Sequence, residues 1–245
     1  MGSTSDAPGW FGKLSSLGDF AQRRVSTQWV STCDGWLSAS MQAGQDHMRE
    51  RWIDAYLHAP VLRFGWAPGV IDEQWWFGVL MPSCDNVGRY FPLLIAQSRA
   101  QAPEDRIALD HLELWLDHLA DAAIHTLSDA GVSIDDFEGL LHDAPPWPSA
   151  GRGLPLVAQG PPEAEHWSGG VAHLPLFRWL HPLAAAQLTQ RLNGHSLWWR
   201  VDQAGSQDAI DIVRGLPDGS QFVALIEGSH LSAREIAQGR DWGRG

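Results

Sequence analysis

Two adjacent tryptophan pairs, Trp75-Trp76 and Trp198-Trp199, constrain the fold of this chain more than any other feature. In a strand, neighbouring side chains point to opposite faces, so each pair sends one indole to either side of a sheet. The runs Val79-Leu80-Met81, Leu93 to Ala96 and Phe222 to Ile226 leave no polar face for water either. A sheet made of such strands needs cover on both sides.

Helical periodicity supplies that cover. Within 26–43, Trp29, Cys33, Trp36, Leu37 and Met41 recur at three-and-four spacing. Met48, Trp52, Ala55 and Tyr56 mark the next helix, with Asp46 as its expected cap. A long stripe of Leu112, Trp115, Leu116, Leu119, Ala123 and Leu127 predicts a helix over 106–130, ended by Gly131. Shorter helices are predicted over 133–142, after Pro182 to Leu192, and over 232–237. Strands are predicted at 10–14, 61–66, 79–81, 93–95, 196–201 and 221–227. The chain therefore reads as α/β, a three-layer α/β/α sandwich. Two strands follow one another directly in two places, so the central sheet is expected to be mixed. One domain is expected over 8–238. The Pro/Gly-rich stretch 144–170 is expected to drape over it as a loop, and 1–7 and 239–245 are expected to be flexible termini.

Composition narrows the function classes. The 245-residue chain carries a net charge of −12 with 17 basic residues and no Lys/Arg run, so nucleic acid and anionic membrane are poor partners. The longest apolar run, 75–81, is far short of the ~20 residues of a spanning helix. The N-terminal stretch lacks the basic and apolar parts of a leader. Cys33 and Cys84 have no C-x-x-C spacing and suit a reducing compartment, so a cytoplasmic location is expected. Fourteen tryptophans call for a thick core, an aromatic surface, or both.

The strands at 79–81 and 93–95 hold a polar insert between them. Pro82 has no N–H for a ladder, and Gly88 takes a positive φ without steric cost. Asp85 and Arg89 are the only charges between Glu73 and Arg99. They pair across their own loop or bind a partner from it. If the first strand lies beside this pair of strands, Lys13, Asp19, Ser83, Asp85 and Arg89 form one polar patch, the candidate partner-binding site. No nucleophile elbow, phosphate loop or zinc-protease motif is present. His111, His118 and His125 share a helix face but stand about 10.5 Å apart along the axis, too far for one metal with ligand bonds near ~2.0 Å. No metal site, cofactor or catalytic set is assigned.

Three motifs carry a family resemblance: Pro82-Ser83-x-Asp85-x-x-Gly88-Arg89-x-Phe91-Pro92-Leu93; Trp10-Phe11-Gly12-Lys13-Leu14 with Gly18-Asp19-Phe20; and Ser196-Leu197-Trp198-Trp199 with Arg214-Gly215-Leu216-Pro217. In order and spread along the chain, they resemble the TagF family of type VI secretion-associated proteins. Ser15, Ser16 and Leu17 depart from the Pro and Arg expected there. The resemblance implies an α/β accessory protein that is not an enzyme. It implies a negative regulator acting after translation, with the forkhead-associated scaffold protein of the secretion system as partner. Two alternatives stand beside it: a hydrolase using the Ser83-Cys84-Asp85 loop, and a structural adaptor without repressive effect.

Overall fold

A computed structural model describes residues 7–16, 19–85, 87–128, 132–146, 157–159, 166–168, 177–200 and 209–229. Strands β1 (Gly9–Lys13), β2 (Phe20–Arg23), β3 (Leu62–Trp66), β4 (Trp75–Met81), β5 (Leu93–Arg99), β8 (His195–Trp199) and β9 (Ile210–Arg214) form one sheet in the order β2-β1-β5-β4-β3-β8-β9. Strands β6 (Val157–Gln159) and β7 (His166–Ser168) form a separate two-stranded ladder. Every ladder between these strands is antiparallel. The expected mixed sheet is thus corrected to an antiparallel one. The 144–170 stretch, expected as loop throughout, contributes β6 and β7.

The helices are α1 (Thr27–Met48), α2 (Trp52–Leu57), α3 (Arg106–Ser128), α4 (Ile134–His142), α5 (Phe177–Leu192) and α6 (Gly219–Ile226), with a single 3-10 turn, Arg49–Arg51, joining α1 to α2. Ser26 caps α1, its side chain accepting from the Trp29 N–H. Asp46 is no cap: it lies within α1 and accepts from Gln42 one turn earlier. Helix α5 begins before Pro182 rather than after it. The predicted strand at 221–227 is helix α6. Asp218 and Gln221 close a reciprocal capping box there, and the apolar run Phe222–Ile226 is buried all round. The predicted helix at 232–237, the cap at Gly131 and the tail from 239 lie outside the described residues.

Alternation along the strands sorts the core into two clusters. Trp76, Leu80, Phe64, Trp66, Leu94 and Trp198 pack with α1, α2 and α6 through Trp29, Leu37, Tyr56 and Phe222. Trp75, Phe77, Val79, Met81, Leu93 and Ile95 pack with α3 and α4 through Trp115, Leu119 and Phe137. Each tryptophan pair is split between the clusters, Trp199 lying against the second while Trp198 joins the first. The strand centres are tight. A Cβ on Gly78 would stand 2.0 Å from the Ile95 carbonyl oxygen, backbone that cannot yield. Gly139 in α4 faces open space.

These two glycines give opposite expectations. Gly78→Ala overpacks the sheet and costs about 1–3 kcal/mol. Gly139→Ala stabilises by about 0.5–1 kcal/mol through helix propensity. Thermal melts check both, with shifts of about 2–4 °C per kcal/mol in opposite directions.

Candidate functional site

β1 lies beside β5, which brings the end of the first strand to the loop between β4 and β5. The approach is close enough to exclude a side chain. Gly12 has φ 139°, and a Cβ there would meet the Pro92 carbonyl oxygen at 2.2 Å. The next residue, Lys13, is only 3 % exposed. A lysine is almost never buried unpaired, and its ammonium forms an ion pair with the fully buried side chain of Asp85.

Asp85 is the hub of the loop. Its Oδ1 accepts from the Arg89 N–H at 2.8 Å and the Val87 N–H at 3.1 Å, and its Oδ2 accepts from Arg89 Nε at 2.7 Å as well as from Lys13. The backbone closes the same turn, with Asp85 N–H to Arg89 O at 3.0 Å and Gly88 N–H to Asp85 O at 3.1 Å. Burial alone pushes the Asp85 carboxyl up. The bonds from Lys13, the Arg89 main chain and side chain, and Val87 outweigh it and hold the group well below the usual carboxylate range.

The base of the loop is braced from two more elements. Ser83 Oγ donates to the Lys13 carbonyl at 2.8 Å. Tyr56 of α2 donates to the Ser83 carbonyl at 3.1 Å and accepts from the Ser83 N–H at 3.0 Å. Burial raises the Tyr56 hydroxyl far above its ordinary value, so it stays a donor. Cys84, half-buried, forms a single bridge with Tyr90. The tip is open: Val87 is 68 % exposed and the Arg89 side chain 58 %. Beside it Phe20 of β2 stands with its ring centroid 4.9 Å from Lys13 Nζ and 4.8 Å from the Phe91 ring, edge to face.

Of the five residues expected to form a patch, Lys13, Ser83, Asp85 and Arg89 come together. Asp19 does not enter that network; its carboxylate accepts from the Phe20 N–H at 2.8 Å. Of the two roles open to Asp85, the structure shows the pairing with Arg89 across its own loop, with the Asp85 side chain interior. Reading by residue type missed Phe20 and Tyr56. Phe20 sits in a four-residue strand too short for a periodic signal, and the reach of Tyr56 to Ser83 depends on how α2 packs. The hydroxyl and carboxylate named for a hydrolase are otherwise engaged, Ser83 Oγ with the Lys13 carbonyl and the Asp85 carboxylate with two cations. On the long helix, His118 is occupied elsewhere, with Nε2 2.7 Å from the Leu140 carbonyl oxygen. No helix among the described residues is long and apolar enough to cross a membrane.

An antiparallel sheet packed against helices thus holds out a charge-braced loop. The TagF N-terminal domain family, described as type VI secretion system-associated, matches residues 9–144, more than half of the 245 residues, and the chain belongs to that family. The matched span includes Lys13, Asp19 and the whole 82–92 loop. Among solved structures, the crystal structure of PA0076 from Pseudomonas aeruginosa PAO1 is similar, with a TM-score of 0.70 and 29 % identity over 91 % of this chain and 95 % of that one. No curated protein matches the sequence.

Two predictions test the brace. Lys13→Met leaves the Asp85 carboxylate with Arg89 as its one remaining cation and lowers the midpoint of urea unfolding. Because the folded Asp85 carboxyl lies below its unfolded value near ~3.9, its contribution is complete above about pH 4 and is lost as pH falls below that. Asp85→Asn is therefore less stable than wild type at neutral pH, and the gap closes on acidification. Paired melts between neutral and acid pH measure it.

Proposed function

We propose that this type VI secretion accessory protein is a negative regulator that acts after translation by binding, without catalysis, from the cytoplasm. The partner proposed is the forkhead-associated scaffold protein of the secretion system, as the family resemblance implies. A three-layer α/β/α frame would hold the loop in one shape. The partner would then meet Val87, Arg89 and Phe20 already in place, with little conformational freedom left to lose on binding.

The observation that carries this reading is the division of labour within the loop. The buried groups Lys13, Ser83 and Asp85 satisfy one another, while the groups they support are solvent-facing. Loops on rigid scaffolds are where binding residues concentrate. Arginine, here Arg89, is among the residues enriched in interface hot spots.

The test removes the tip and keeps the base. Val87→Ser/Arg89→Ala is expected to fold but to melt below wild type, because it removes one of the two cations on the buried Asp85 carboxylate and keeps Lys13 and the two main-chain N–H groups. It is expected to lose co-purification with the scaffold protein from the host and to release secretion from repression. A variant that folds, binds and represses like wild type overturns the reading.

A further inference from the structure

The sheet ends at β2, and the outer edge of that strand is arranged for another strand. Two of its backbone groups take partners from neighbouring side chains. The Phe20 N–H donates to Asp19 Oδ1 at 2.8 Å, and the Gln22 carbonyl accepts from Arg23 Nη1 at 2.9 Å. In an antiparallel ladder, successive residues turn their N–H and C=O alternately to one neighbour and the other. Phe20 and Gln22 thus face away from β1, and the ladder to β1 runs through Ala21 opposite Gly12 and Arg23 opposite Trp10. A carboxylate stands where an added strand's carbonyl would accept, and a guanidinium where its N–H would donate. Among the described residues no strand pairs with this edge.

The pattern is symmetric about Ala21. Phe20 and Gln22 flank it at one residue, and Asp19 and Arg23 at two. We propose that β2 pairs antiparallel with β2 of a second copy of this chain, around a two-fold axis at Ala21, joining two seven-stranded sheets edge to edge. In that register Phe20 lies opposite Gln22 of the other copy. Both are outward-facing, and each exchanges its N–H and C=O with the other. Asp19 lies opposite Arg23 of the other copy, at the closer, non-hydrogen-bonded positions where Cβ atoms are about 4.5–5.5 Å apart. The two side chains displaced from their own backbone become each other's counter-ions, twice. A C2 contact requires this self-complementarity.

Charges on an edge strand also serve to ward off pairing. These two differ from a simple guard in being opposite in sign and matched under rotation. The strand has a fixed end as well. Arg24 has φ 55°, with its Nε donating to the Pro8 carbonyl at 3.0 Å and its guanidinium paired with Glu138. Pairing therefore stops near Arg23. The contact falls at the small end of interfaces, below about 1,200 Å², and the dimer is weak and reversible. Two chains of net charge −12 also repel, a force largely screened at ~0.15 M salt.

Sedimentation equilibrium of the full chain at that ionic strength, over a concentration series, tests the proposal. Wild type is expected to show a concentration-dependent dimer. Asp19→Arg and Arg23→Asp each set like charges opposite one another twice, and each is expected to weaken dimerisation about tenfold or more. Asp19→Arg/Arg23→Asp restores opposite charges in swapped positions and is expected to recover wild-type association. Melting curves establish that all four proteins fold. A wild type monomeric throughout the series overturns the proposal. So does a dimer indifferent to the single reversals, or a double variant no better than either single one.

Discussion

A buried carboxylate with two cations and two main-chain N–H groups around it holds the loop between β4 and β5 together. Asp85 has no exposed side-chain surface, so its charge must be met from within the protein. Lys13 meets it from β1, Arg89 from the loop itself, and the backbone of Val87 and Arg89 fills the remaining acceptor positions. One interaction therefore closes the turn and fastens it to the first strand. It also explains the lysine at the end of an otherwise apolar β1. A neutral residue there would leave Arg89 as the sole cation on Asp85, with more than half of its side chain in water.

The brace works only because the sheet is stiff beneath it. Aromatic rings fill the helix-facing core on the α1 side: Trp66 stacks on Phe64 with centroids 4.2 Å apart, and Trp29 lies 5.2 Å from Trp76. Such pairs add directional contacts to the area they bury. On the other face Trp75 stacks on Phe77 at 5.5 Å. β4 thus presents large rings alternately to both sides, and β5 beside it carries Leu93, Leu94 and Ile95 in the same way. The loop between β4 and β5 leaves from the best-anchored strands of the sheet.

Much of this was legible from residue type. The split tryptophan pairs and the long stripe of α3 follow from period. The Asp85–Arg89 pair was one of two readings open for the only charges between Glu73 and Arg99. What failed has physical causes. Phe222–Ile226 is a five-residue apolar run, and period cannot tell a buried strand from a buried helix at that length. The capping pair Asp218 and Gln221 was the available signal. Strands β2 and β9 are short edges with polar residues and gave no run to see. The antiparallel order depends on where α1 and α2 return the chain, which is tertiary information. Lys13 on Asp85 is a contact across 72 positions and needed β1 beside β5 before it could be drawn.

At the outer end of the loop, Gly88 has φ 80°, and a Cβ placed on it would find nothing within 4 Å. Val87 beside it stands in water and makes only a main-chain contact to the turn, while Asp85, the Arg89 side chain and the main chain shape it. Shape and surface chemistry are thereby decoupled at Val87. The side chain at position 87 can be exchanged over evolutionary time without disturbing the turn that displays it, whereas position 89 is tied to the buried carboxylate.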